Sequence, residues 1–390
     1  MTDRNYYCNM KFRMMKIDAE RKLAYNCDPA TPYPIDFVWL EENPGQLFNT
    51  PRVVHERELM LNNQRNSSCE NCCFRAEDVG AVSPRITRRG YNKTHHETVT
   101  QPEIIDFTIG SDCNLTCSYC VKEYSSAWRR DLLNNGDYAI DFEDDRYTIN
   151  IKDRVMEKNS QPTRVGSKHF QQIINELELM APSLKSMDIT GGEPMLNNSL
   201  LDIIDRVKQV PDIKIFTGLG VDIKRLANIL VKLKEYPNVR LAVSAESVEK
   251  IHEFNRYGVK WDDFLQKINL IKQHNIYFSF HSTLSNLTVI SYCKFRNLFA
   301  DIYSEFEMVY KPDFMAVYVL DDQTKDFVIQ DLEKSEIQNK EQIIQSIMAS
   351  PTELQKNNIK KFLKEFTRRR PDLDVTIYPK EFLDWIEYVV

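Results

Sequence analysis

A parallel α/β fold is what this sequence predicts, on two observations. From about residue 100 onward, six short β-like runs alternate with helix-like runs, and that order winds strands in parallel. The helix-like runs carry apolar residues on one face only. Phe170, Ile173, Ile174 and Leu177 fall at i, i+3, i+4 and i+7. Periodicity by itself does not separate an open sheet from a partial barrel.

Taken in order, the β-like runs are Ile104-Ile-Asp-Phe-Thr-Ile109, Ser186-Met-Asp-Ile-Thr190, 213–217, 239–244, 276–282 and 314–320. The helix over Phe170–Leu177 follows Ser167, a good N-cap. Leu200, Ile203, Ile204 and Val207 repeat the spacing after Ser199, and Leu226, Ile229, Leu230 and Leu233 repeat it again. Residues 123–165 interrupt the pattern with a polar, acid-rich insertion containing Asp141, Glu143, Asp144 and Asp145. Connections this long are either functional or merely mobile, and this one is expected to fold over the strand ends as a lid. From about Ser335 the chain reads as helical, through Ile343, Ile344, Ile347, Leu354, Phe362, Leu363 and Phe366. The run Arg368-Arg-Arg370 before Pro371 is expected to complement a helix C-terminus.

A chain of 390 residues with 42% hydrophobic content can bury a large core and hold more than one unit. There is no run of about 18 apolar residues to span a membrane, and the N-terminus lacks the apolar core of a signal peptide. Nine cysteines without a secretion signal argue for metal chemistry over disulfides, and for the cytoplasm. A net charge of −6 disfavours a nucleic-acid surface.

Cys113-Asn-Leu-Thr-Cys117-Ser-Tyr-Cys120 sets three thiols in one tight loop directly after the first strand. Iron–sulfur clusters normally take four cysteines, so three would leave one iron open. Zinc is the alternative, closed by His95 or His96 as a fourth ligand. A second motif, Gly191-Gly192-Glu193-Pro194, ends the next strand, where paired glycines let backbone approach a ligand closely.

Together these two motifs resemble the radical S-adenosylmethionine (SAM) superfamily. The resemblance implies a six-stranded partial TIM-type (β/α)6 barrel with its chemistry at the C-terminal strand ends. It implies a 4Fe-4S cluster on Cys113, Cys117 and Cys120, whose open iron chelates SAM. Gly191, Gly192, Glu193 and Pro194 would contact the methionine amino group, and Tyr119 would lie near the adenine. Leu241-Ala-Val-Ser244-Ala-Glu246 and Glu253-Phe-Asn-Arg256-Tyr-Gly258 resemble the stretch in which a serine and an arginine reach SAM. Ser244 and Arg256 take those roles, and the planar fork of arginine suits a carboxylate. A surface ion pair is the plainer reading of Arg256. Thr217-Gly-Leu-Gly220 departs from the Thr-Asn-Gly common in relatives with auxiliary clusters. Asn286 matches an asparagine often found after the fifth strand, or caps a helix. A lone Cys293 reads as a buried thiol.

The first hundred residues carry Cys8, Cys27, Cys69, Cys72 and Cys73. Four thiolates suit zinc and iron–sulfur equally. The region is similar to the auxiliary-cluster domain called twitch, a shortened relative of SPASM, here placed before the barrel. The resemblance implies a second 4Fe-4S cluster on Cys8, Cys27, Cys69 and Cys72. Cys73 is surplus, and is a candidate hydrogen donor to a substrate radical if it is not a ligand. The expected domains are 1–99 (auxiliary cluster), 100–330 (SAM core) and 331–390 (helical extension).

The implied activity is reductive cleavage of SAM to a 5′-deoxyadenosyl radical that abstracts hydrogen from a substrate. That requires a one-electron donor such as flavodoxin or ferredoxin. The resemblance leaves the substrate unidentified: relatives with auxiliary clusters often modify ribosomally made peptides, and others act on sugars or other small metabolites. A non-catalytic, metal-stabilised binding protein would have no need of a SAM pocket, and the acidic charge weakens a tRNA-modifying reading.

Overall fold

The structure is a computed structural model that describes residues 5–27, 30–78, 83–87, 100–141, 146–148 and 167–388. His95, His96, Glu143, Asp144, Asp145 and residues 149–165 of the insertion therefore lie outside the described residues.

In chain order the strands are β1 (Met14–Asp18), β2 (Leu23–Tyr25), β3 (Tyr33–Pro34), β4 (Ile104–Thr108), β5 (Thr116–Cys117), β6 (Ser186–Thr190), β7 (Ile213–Thr217), β8 (Val239–Ser244), β9 (Arg256–Tyr257), β10 (Phe278–Leu284) and β11 (Ser304–Met308). The chain divides into two compact units. One comprises residues 1–110, 161–215 and 235–240, and the other 111–160, 216–234 and 241–390.

In the first unit β7, β6, β4 and β1 run parallel in that order, and β2 and β3 add on antiparallel. Residues expected as a separate N-terminal domain thus contribute β1, paired with β4 from Met14↔Ile104 to Asp18↔Thr108. Alternation fixes the faces. Ile105, Phe107, Met187, Ile189, Ile213 and Ile215 are buried, while Lys16, Asp106, Asp188 and Lys214 form one register row on the other face. Lys16 pairs with Asp106 at 3.2 Å and Lys214 lies 3.9 Å from Asp188. The helix Lys168–Met180 covers the sheet with Phe170, Ile173, Ile174 and Leu177 buried, and the Ser167 hydroxyl accepts from the Phe170 amide as expected.

In the second unit β8, β10 and β11 are parallel. The helix Ile223–Leu233 buries Leu226, Ile229, Leu230 and Leu233, capped by Asp222. The tail is helical over Asp322–Lys334, Lys340–Ile347, Glu353–Arg368 and Lys380–Trp385. Two expectations are corrected here. The fifth strand sits two residues later than 276–282, and residues 314–320 form no strand. The Asn286 side chain donates to the carbonyls of Phe314 and Val319 at 3.1 Å each, and its amide donates to Met315. Those carbonyls are satisfied by a side chain in place of a ladder, so Asn286 fastens this buried loop and does not cap a helix. The last strand is β11, whose Ser-Glu-Phe-Glu-Met pattern is half-exposed.

Candidate functional site

The three-cysteine loop lies in the second unit, with Cys113 and Cys117 buried and Cys120 half-buried. Local hydrogen bonds shape it. The Ser126 hydroxyl accepts from the Cys113 amide at 3.1 Å and donates to its carbonyl at 3.0 Å. The Ser125 hydroxyl donates to the Leu115 carbonyl at 2.7 Å and caps the helix Ser126–Asn135. The Trp128 indole donates to the Cys117 carbonyl at 2.8 Å, and Ser118 bonds Asn255 through both its amide and its hydroxyl. The Leu115 amide donates to the Cys113 sulfur at 3.4 Å.

β5 pairs antiparallel with β9, which sets Arg256 opposite Cys117. The Arg256 guanidinium is buried, 4.0 Å from the Cys117 sulfur, and forks onto Glu246 at 3.1 and 2.6 Å. It is therefore no surface pair. The Tyr119 hydroxyl donates to the same carboxylate at 3.0 Å, and Arg256 stands 5.6 Å above its ring. Burial pushes the Cys117 thiol up to about 12, against the pull of Arg256, and raises Cys120 too. A metal must therefore displace protons to bind here, the usual coupling of thiolate ligation to pH. Burial would discharge Arg256, but the Glu246 carboxylate outweighs it and holds the guanidinium cationic.

Ser244 ends β8, half-buried and in register with His281 of β10. At the family-divergent turn, the Thr217 hydroxyl accepts from the Leu219 amide at 2.9 Å. A Cβ on Gly220 would stand 2.6 Å from the Asn114 oxygen, so glycine there lets this turn press against the cysteine loop.

The glycine motif lies in the first unit, at the end of β6. Gly191 has φ +136°, and a Cβ on it would meet the Gly110 carbonyl oxygen at 2.4 Å. The Gly192 amide donates to that same oxygen at 2.9 Å. Glu193 is buried, and its carboxylate accepts from the Met195 amide at 3.2 Å, starting the turn Pro194–Leu196.

The second cysteine set is also drawn together. Cys8, Cys27, Cys69 and Cys72 pack in one cluster with Met10, Met14, Met60 and Phe74. A buried polar node unites the segments that carry them. The Lys11 ammonium bonds Glu56 at 3.0 Å, Asn26 beside Cys27, and Ser68 beside Cys69. The Cys72 thiol donates to the Cys69 carbonyl at 3.4 Å. Its closeness holds the Cys69 and Cys73 thiols below the usual thiol range, whereas burial pushes Cys8 up to about 11. Cys73 is thus part of the same sulfur group. Cys293 is buried in the helix Tyr292–Leu298, as expected.

Both sets fit an iron–sulfur cluster in donor chemistry and burial. Among the described residues, no three His, Cys, Asp or Glu side chains are preset at coordination geometry. Sequence reasoning missed Glu246 and the Lys11–Glu56 node. Their signal was faint: a carboxylate two places beyond a strand-end serine, and a lysine inside an apolar run.

The Radical SAM superfamily profile matches residues 107–294. The radical SAM cyclopropyl synthase TigE of Paramaledivibacter caminithermalis is 26% identical over 199 residues, 49% of this chain and 37% of that protein. The chain thus matches little more than a third of that curated relative's length. Among solved structures, anSMEcpe with bound AdoMet is 16% identical with a TM-score of 0.35, over 68% of this chain and 59% of the other. Streptococcus suis SuiB bound to precursor peptide SuiA is 13% identical with a TM-score of 0.35, over 97% and 77%. No helix among the described residues is long and apolar enough to cross a membrane. The profile match covers the three-cysteine loop, the glycine motif and the Arg256 hairpin alike, so residues 107–294 of this chain match the radical SAM superfamily.

Proposed function

We propose that this enzyme cleaves SAM reductively and modifies a C–H bond of a ribosomally made peptide. One observation carries the first part: a loop of three buried or half-buried cysteines with a buried, cationic Arg256 held opposite Cys117. Cys113, Cys117 and Cys120 would hold the SAM-binding 4Fe-4S cluster, which with SAM supplies a 5′-deoxyadenosyl radical as hydrogen-atom acceptor. The chain's own residues position and shield. Gly191, Gly192, Glu193 and Pro194 offer backbone to the methionine amino group, Ser244 and Arg256 serve its carboxylate end, and Tyr119 serves the adenine. Glu246 keeps Arg256 charged and aimed, and burial around the loop excludes water.

Cys8, Cys27, Cys69 and Cys72 would carry a second 4Fe-4S cluster, with residues 1–99 as a twitch-like element. The peptide reading rests on that second set, because superfamily members with auxiliary clusters often act on such peptides. A flavodoxin or ferredoxin would donate the electron. Anaerobic reconstitution with dithionite and SAM tests the assignment. Replacing Cys113, Cys117 and Cys120 together by alanine is expected to abolish 5′-deoxyadenosine and leave about four irons per chain. Undiminished cleavage in that variant sinks the first cluster, and zinc in place of the remaining iron sinks the second.

A further inference from the structure

The basic run at the end of the long tail helix is not a solvated cap. Arg368 is exposed and pairs with Glu365, but the side chains of Arg369 and Arg370 are 0% and 3% exposed. Arg370 points to the cysteine loop. Its Nε donates to the Thr116 hydroxyl at 3.2 Å, immediately before Cys117. Its other nitrogens reach the Tyr138 hydroxyl and Phe366 carbonyl at 3.3 Å each, and Asp131 at 3.4 Å. Its guanidinium lies 3.9 Å from the Phe366 ring centre, 5.3 Å from Trp128 and 5.2 Å from Tyr257. Trp128 is the residue that donates to the Cys117 carbonyl, and Tyr257 is the β-partner of Thr116.

The tail supports the same loop at two further points. The Tyr257 hydroxyl donates to Asp372 at 2.9 Å. Asn255, which holds Ser118, donates to the Tyr378 hydroxyl at 2.9 Å. Thr116, Cys117 and Ser118 are thus each fastened from outside the loop, and each fastening leads to residues 366–378. A planar fork with several fixed donors, sandwiched among rings, holds direction as well as distance, which a lysine in that place does not.

We propose that Arg370 is a positioning residue that fixes the cluster-bearing loop through Thr116 and Trp128, so that the C-terminal tail completes the site. This rests on the reading of Cys113, Cys117 and Cys120 as cluster ligands. Arg369 provides the control. It is as buried, but it bonds Asp131, Glu365 and the carbonyls of Gly136 and Asp137 and not the loop.

The test compares Arg370→Gln, Thr116→Val and Arg369→Gln. In the iron-free chain, amides of residues 113–118 are expected to exchange faster in the first two variants only. After reconstitution, those two keep their iron. They lose the change that SAM produces in the electron paramagnetic resonance spectrum of the reduced cluster, and cleave SAM at least about tenfold more slowly. The Arg370→Gln, Thr116→Val double variant is no worse than Arg370→Gln alone, since the bond to the Thr116 hydroxyl is already lost with the guanidinium. Thr116→Val deletes a single hydroxyl, so it decides the matter even where Arg370→Gln folds poorly. Native exchange and a native SAM response in Thr116→Val, or equal effects from Arg369→Gln, overturn the proposal. A wild-type chain that takes up no iron sinks the proposed function instead, and the exchange measurement still judges the brace.

Discussion

Replacing Lys11 by Met should cost the first unit about 3 kcal/mol at pH 7, the equivalent of the depressed Glu56 carboxyl. Burial alone would raise that carboxyl. The Lys11 ammonium and hydrogen bonds from Lys11, Asn26 and Ser68 outweigh burial and hold it at about 2, against 4.5 unperturbed. Roughly 2.5 pH units at 1.36 kcal/mol each gives the figure, and it matches the 3–5 kcal/mol typical of breaking a buried pair from one side. The sign follows from linkage. A depressed carboxyl contributes stability that is complete above about 4.5 and lost as pH falls toward about 2. Native-state hydrogen exchange of the β1 amides, in iron-free protein, reads the cost. Protection should fall by about two orders of magnitude at pH 7 in Lys11→Met, and the gap to wild type should narrow at pH 3. Adding Glu56→Leu should recover much of the loss, because an apolar pair is no worse than an ionic one. A loss below about 1 kcal/mol, a gap independent of pH, or a double variant worse than the single would refute the reasoning.

Three further outcomes are expected. Gly191→Ala places a Cβ 2.4 Å from the Gly110 oxygen at φ +136°, so its melting temperature should drop by several degrees; an unchanged melt counts against a strained turn. Glu246→Gln leaves the buried Arg256 without its counter-charge, and should destabilise by about 3 kcal/mol in urea and weaken SAM binding measured by calorimetry; native values in both would remove Glu246 from the site. Burial pushes the Asp188 carboxyl up to about 6, against Lys214, so ionising it costs the folded state from about pH 4 upward; Asp188→Asn should therefore stabilise at pH 7.5 and do little at pH 3.5, and a pH-independent effect would contradict the shift.

Local signals in the chain were enough for the parallel α/β class, for the first four core strands in the places expected, and for the helices over Phe170–Leu177 and Leu226–Leu233. These read well because alternation and the 3.6 period are short-range consequences of which face is buried. Cys113, Cys117, Cys120 and the Gly191–Pro194 turn were legible for the same reason: a tight loop of thiols and a strand-end turn each keep their residues within a few positions. Residues 314–320 misread as a strand because their apolar character reports burial and not pairing, and only the fold shows that Asn286 takes their carbonyls. Side chains far apart in sequence were decided by tertiary structure alone. Lys11 meets Glu56 across 45 residues, Arg256 meets Cys117 across 139, and Arg370 reaches Thr116 across 254. Nothing local distinguishes such residues from surface charges. Each becomes a buried ion only because distant segments close around it and supply its partners, and a buried charge is tolerated only where that happens.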